Sequence, residues 1–374
     1  MDTNMTIISA EMYGKATSGE LTIKAAAELL RDESYIRTLK DKILKFSKEE
    51  DPRKTIVNGL LENHPDSKKD AVERKVRGWF NERDRTIKKK DAIELAFILS
   101  LSAPEADEFV GLISGEGFHW RDPAEIGYIY ALKKGISYKD ATALNDKILS
   151  ETADSSIAHA DVTTKLVRDD IMKIDGTDEL IEYIKSAKQK LGAYHNTAFT
   201  WFSKMYGLLA SPNLNDMLPD VKKMTAQDIV EQYFYRGIIS RIKQNGKEND
   251  IFTSAMQRSI KQNWPDEFTV SRILNKEIDV SRKSLILLFL ATDGGNYSTV
   301  EDDDEDDFYE MSREDLFKET YTRLNTMLSD CGFSRIDPRS PFDWMVLYSM
   351  CVDELWEIDE NMRDFVSEIY PDGN

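Results

Sequence analysis

Residues 72–101 read VERKVRGWFNERDRTIKKKDAIELAFILSL, and the spacing of apolar residues in this stretch decides the fold. Val72, Val76, Trp79 and Phe80 fall on one face of a helix with a 3.6-residue period. Residues 81–85 break that pattern, and residues 92–99 open a second, more apolar helix. A short basic helix therefore leads through a tight turn into a buried one.

The same shape returns at residues 270–291, VSRILNKEIDVSRKSLILLFLA. Val270, Ile273 and Leu274 run into Asn275, Lys276 and Glu277, and Val280, Ser281, Arg282 and Lys283 then open the apolar run 285–291. The flanks repeat as well. Asn63, His64, Pro65 and Asp66 match Asn263, Trp264, Pro265 and Asp266, and Gly117, Phe118, Asp122 and Pro123 match Gly332, Phe333, Asp337 and Pro338. An apolar helix follows each Asp-Pro, at 126–132 and 342–350. Four matches in one order imply that a unit is present twice.

Composition bounds the class. At 374 residues the chain has room for two or three domains of roughly 100–200 residues each. With 41% hydrophobic and 32% charged residues, 10 Pro and 18 Gly, it suits an all-α protein better than a turn-rich β protein. The expected architecture is two helix-turn-helix-like domains, 1–133 and 225–374, joined by a helical bridge at 134–224, where Tyr194, Phe199, Trp201, Phe202 and Tyr206 are too dense for a solvated tether. The apolar pattern from Met345 to Tyr370 reads as one C-terminal helix that closes the second domain or forms a homodimer face. No 18-residue apolar run and no basic-apolar leader occur, so no membrane association and a cytoplasmic location are expected.

Chemistry finds few candidates. Cys331 and Cys351 have no Cys-x-x-Cys spacing and read as small buried residues, and the four His make no ligand pattern, so no metal is expected. His119 sits in the turn before Asp122 and reads as a loop residue. There is no Gly-rich phosphate loop, Gly-x-Ser-x-Gly or His-Glu-x-x-His, and neither a catalytic residue nor a cofactor is assigned. The reading is a protein that is not an enzyme.

Charge is more informative. The net charge is -18, yet residues 293–374 hold 23 acidic and 6 basic residues, including seven consecutive acids at 301–307. Residues 52–90, by contrast, hold 12 basic and 6 acidic residues. The first copy is a basic island, and the acid lies at the far end of the chain. On a helix–turn–helix the island gathers Lys68, Lys69, Arg74, Lys75, Arg77, Arg83, Arg85, Lys88 and Lys89 as groups for phosphate, with Lys75 and Arg77 placed for base edges.

The string 270–288, VSRILNKEIDVSRKSLILL, resembles the lambda-repressor-like (XRE-type) helix-turn-helix family, in which a Ser-Arg-x-x-Asn segment ends the recognition helix and a Ser-Arg or Ser-Lys start follows. Together with residues 338–343 and the Tyr-His-Asn-Thr string 194–197, it is similar to a group of helix-turn-helix proteins from Gram-positive anaerobes. The likeness covers some 40 residues of each copy. It implies a bacterial transcription regulator that binds double-stranded DNA, with Thr269, Ser271, Arg272, Lys276, Arg282 and Lys283 as contacts in the second copy. The first copy departs from the pattern at Gly78 and Trp79, and the second has few other basic residues. A second reading is an adaptor that holds a protein partner through its acidic C-terminal domain, as a nucleic-acid mimic built on the same fold.

Overall fold

The computed structural model describes residues 14–30, 38–81, 87–152, 164–187, 190–192, 195–210, 223–240, 256–257, 260–292, 294 and 311–371. Arg83, Arg85, Tyr194 and the acidic run 301–307 lie outside them. The chain is all-helical, with no strand among the described residues. In order the helices are α1 (Ile23–Leu29), α2 (Leu39–Phe46), α3 (Arg53–Asn63), α4 (Lys69–Asn81), α5 (Lys89–Ile98), α6 (Ala103–Ser114), α7 (Pro123–Lys134), α8 (Tyr138–Thr152) and α9 (Thr164–Lys173). There follow α10 (Thr177–Ser186), α11 (Asn196–Ala210), α12 (Ala226–Tyr233), α13 (Arg236–Ile239), α14 (Glu267–Leu274), α15 (Arg282–Ala291), α16 (Arg313–Asp330), α17 (Pro341–Ser349) and α18 (Glu357–Ile369). No helix among the described residues is long and apolar enough to cross a membrane.

Contacts divide the chain into two units that do not follow the chain in blocks. The first holds Arg37–Thr197 with Leu328–Ser334, and the second holds Met1–Ile36, Ala198–Met327 and Arg335–Asn374. These cuts differ from boundaries at 133/134 and 224/225. Residues 134–197 of the expected bridge belong to the first unit, where α8 packs along α7, and the rest to the second.

In the first unit the core gathers Ile43, Ile56, Leu60, Val76, Trp79, Leu95, Phe109, Val110 and Phe118, each nearly inaccessible to solvent. Helix starts are set locally. Thr38 and Asp41 form a capping box at α2, Ser102 and Glu105 another at α6, and Asp122 accepts from the Ala124 amide ahead of Pro123 at α7. In the second unit the eight residues from Ser284 to Ala291 are all buried, so α15 is its central helix. Thr225 and Asp228 cap α12 with the same Thr-x-x-Asp box that opens α2.

The expected C-terminal helix is two helices. α17 ends at Ser349 and α18 begins at Glu357. Asn361 donates from Nδ2 to the carbonyls of Tyr348 (3.2 Å) and Ser349 (3.4 Å), satisfying the end of α17. The Glu357 carboxylate accepts from the amides of Asp353 and Glu354 and starts α18. Polar side chains supply the stop that no Gly or Pro announces.

Candidate nucleic-acid interface

The turn between α3 and α4 follows from its residues. Pro65 prevents α3 from continuing, α3 ends at Asn63, and the Ser67 amide closes the turn on the His64 carbonyl (2.9 Å). α4 then carries Asp70 in its first turn, where a carboxylate meets the positive end of the helix dipole. Val72, Val76 and Trp79 point into the core at one, two and nearly three turns, each burial worth roughly 1.5–3 kcal/mol. Phe80 reaches only the edge of the core, where the Arg53 guanidinium lies 5.9 Å from its ring centroid. The opposite face of α4 is therefore forced outward.

That face carries Arg74, Arg77 and Asn81, spaced three and four residues apart, with Lys68 at the turn, and all four are exposed. Lys68, Arg74 and Arg77 form no ion pair among the described residues. Lys69 stands 3.8 Å from Glu73 across one turn, an exposed pair that leaves its ammonium available. Lys75 donates to Asp91 Oδ1 (3.0 Å) and its Nζ lies 5.1 Å from the Trp79 centroid, so it is drawn toward the α5 start. Lys88 and Lys90 are exposed on either side of Lys89.

Lys89 itself is held inward. Its Nζ pairs with Glu125 Oε1 at 2.7 Å, the two side chains being 22% and 15% exposed. The other oxygen, Oε2, accepts from the His119 amide (2.7 Å). One carboxylate at the third position of α7 thus ties the first residue of α5 to the turn before α7. Sequence spacing gave no sign of Glu125, which lies 36 residues from its cation.

The second unit carries the same lock. Arg282, first residue of α15, forks onto Asp343 with Nη1–Oδ1 at 2.8 Å and Nη2–Oδ2 at 2.9 Å. Asp343 is the third residue of α17, and its Oδ2 accepts from the amide of Asp337, six residues earlier, as Glu125 does from His119. These side chains are 11% and 5% exposed. Next to it, Lys283 donates to the carbonyls of Ile260 (2.6 Å) and Gln262 (2.5 Å). Its ammonium lies 5.4 Å from the Trp264 centroid and 4.8 Å from that of Phe342, and burial pushes its pKa down to about 7. Arg282 and Lys283, read from sequence as contact groups, are half-buried and engaged within the second unit.

The remaining candidates of the second unit are engaged locally. Thr269 donates from Oγ1 to Asp266 (2.7 Å) within the α14 cap, and Ser271 donates to the Glu267 carbonyl (2.8 Å). Arg272 pairs with Glu277 at 3.3 Å, and Lys276 places Nζ 4.6 Å from the Phe199 centroid. Phe268, which no sequence argument singled out, is 67% exposed near the start of α14.

The turn before α7 is also not a solvated loop. His119 is 3% exposed and stacks on the buried His195 with centroids 3.6 Å apart, and Phe333 covers His195 at 4.9 Å. Burial, with His195, Lys89 and Arg121 nearby, holds the His119 imidazole well below its usual pKa and therefore neutral. Arg121, 1% exposed, donates from Nε to the Lys190 carbonyl (2.8 Å), fixing the segment that leads to His195.

No family model, no curated protein and no solved structure matches this chain.

Proposed function

We propose that this chain is a DNA-binding regulatory protein, cytoplasmic and without catalytic activity, that grips the phosphates of duplex DNA with α4 and the turn before it. The observation that carries the reading is the outward face of α4. Arg74 and Arg77 stand on the side opposite Val72, Val76 and Trp79, with Lys68 beside them, and none of the three forms an ion pair among the described residues. Helix, tight turn and second helix with unpaired cations on its outward face suit a recognition helix in a major groove. The tandem reading is supported by the matched locks Lys89–Glu125 and Arg282–Asp343, each tied to an amide six residues before its carboxylate.

Fluorescence anisotropy of the full chain with random duplex DNA at about 50 and 200 mM salt tests it. Salt-sensitive binding is expected, each neutralised phosphate contributing about -0.9 to the logarithmic salt slope. The triple substitution Arg74→Ala, Lys75→Ala, Arg77→Ala should abolish it, and unchanged affinity would sink the assignment. Exposed Phe268 and Trp356, 67% and 62% accessible, favour the second reading, a protein-binding adaptor or homodimer surface on the second unit. No binding to DNA at low salt would turn the argument to that reading.

A further inference from the structure

Resting on the DNA-binding reading, we infer that duplex DNA is held by one head only, the α3–α4 head of the first unit, and that α14 of the second unit makes no contribution to phosphate binding. Two helices of similar context have opposite electrostatic fates. Residues 68–90 hold ten basic and four acidic residues, whereas residues 266–283 hold four of each. Coulomb attraction to a phosphate array follows the unneutralised charge, so the second segment starts with none to spare.

Position removes what remains. Arg282 is forked onto Asp343 and accepts no second planar anion without breaking a pair whose side chains are 11% and 5% exposed. Lys283 spends two of its three donors on the Ile260 and Gln262 carbonyls, with the Trp264 and Phe342 rings close by. Arg272 lies 3.3 Å from Glu277, closer and less exposed than Lys69 at 3.8 Å from Glu73, so a phosphate approaching that guanidinium would have to displace a nearer carboxylate.

Lys276 sits at the turn that ends α14, with φ 57°, while its amide reaches the Ile273 carbonyl and the Glu277 amide the Arg272 carbonyl. That backbone aims its ammonium at Phe199. Thr269 and Ser271 have their hydroxyl protons on Asp266 and the Glu267 carbonyl. On α4 the comparable outward residues Arg74 and Arg77 form no ion pair among the described residues, with Asp70 and Glu73 four positions before them left unpaired to either.

The test compares two double variants of the full chain by anisotropy across a salt series with one random duplex. Arg74→Ala/Arg77→Ala should weaken binding at least tenfold and reduce the salt slope by about 1.8, two phosphates at about 0.9 each. Arg272→Ala/Lys276→Ala should change affinity less than about twofold and leave the slope unaltered. A loss from the second pair comparable to that from the first would overturn the one-head inference while keeping DNA binding. Absence of salt-sensitive binding in the unsubstituted chain would instead overturn the DNA-binding reading, and the inference with it.

Discussion

Lys89 and Arg282 show how one residue type at the head of a helix takes a role that its neighbours do not share. Flanking Lys88 and Lys90 are exposed, whereas Lys89 is drawn to Glu125. In sequence the three are equivalent cations, and the partner that distinguishes one of them is 36 residues away. The distance from Arg282 to Asp343 is 61 residues, so neither lock was legible from local spacing. Burial makes the second lock the costlier to break. Arg282→Met should destabilise the protein by about 3–5 kcal/mol, because Asp343 is left charged and nearly inaccessible, and Arg282→Met/Asp343→Leu should recover most of the loss. Urea unfolding midpoints of the two variants decide it, and a single variant as stable as the parent would show that the pair contributes nothing. His119 gives a residue-scale dependence on pH. Burial holds its folded pKa well below the ordinary histidine value of about 6.5, so the unfolded chain binds the extra proton, and the stability it confers above that pH is lost as the pH falls below it. Between pH 7 and 5 the urea midpoint should fall, and His119→Gln should flatten the fall. Equal slopes would place the acid sensitivity in other groups.

Helices whose burial is periodic were the readable part of the chain. α4 and α5 lie within about three residues of their apolar spacing, and α15 fills the run expected to be buried. α6 and α16 escaped notice although Ser102-x-x-Glu105 and Ser312-x-x-Asp315 open them, since their apolar positions are interrupted by charge. α17 and α18 read as one because the caps that part them come from Asn361 and Glu357, whose roles exist only once the helices are packed. Element packing also depends on a glycine whose reason is invisible in sequence. In α7, Gly127 meets Asn145 of α8: its amide donates to Asn145 Oδ1 (3.1 Å), while Asn145 Nδ2 donates to the Ala124 carbonyl. A Cβ on Gly127 would lie 2.6 Å from that oxygen and 2.9 Å from the Asn145 Cα, which is backbone and cannot rotate aside. Gly127→Ala should force the two helices apart at a cost of about 2–3 kcal/mol, read as a lowered urea midpoint. A midpoint within error of the parent would mean that the α7–α8 contact is looser than these distances.

At the scale of the molecule, chain order and spatial order part company. A contiguous C-terminal domain from residue 225 is the natural reading of a duplicated sequence, and local periodicity holds no information against it. The contacts that assign α1 to the second unit are longer than any window: Trp344 donates from Nε1 to the Ala26 carbonyl (2.9 Å), and the Tyr348 hydroxyl donates to the Leu21 carbonyl (2.8 Å). Both acceptors lie more than 300 residues before their donors. This arrangement determines what removing the acidic C-terminal segment 293–374 would do. A chain ending at residue 292 loses α16, α17 and α18 together with the acid, and α15 loses its cover: Leu285 to Leu290 are nearly inaccessible in the intact unit, and α18 packs against both α15 and α1. Exposing those side chains forfeits roughly 1.5–3 kcal/mol for each Leu, Ile or Phe, which together is as large as the net stability of an ordinary domain, about 5–15 kcal/mol. The truncated chain should therefore lose near-ultraviolet circular dichroism from its second unit and bind a hydrophobic dye. Neutralising the acids in place, Asp and Glu of 301–307 to Asn and Gln, removes seven of the 23 acids while keeping α16, α17 and α18. If the truncated chain instead unfolds in one sharp urea transition with native near-ultraviolet signal, the second unit does not depend on α16–α18, and its core must be assigned elsewhere.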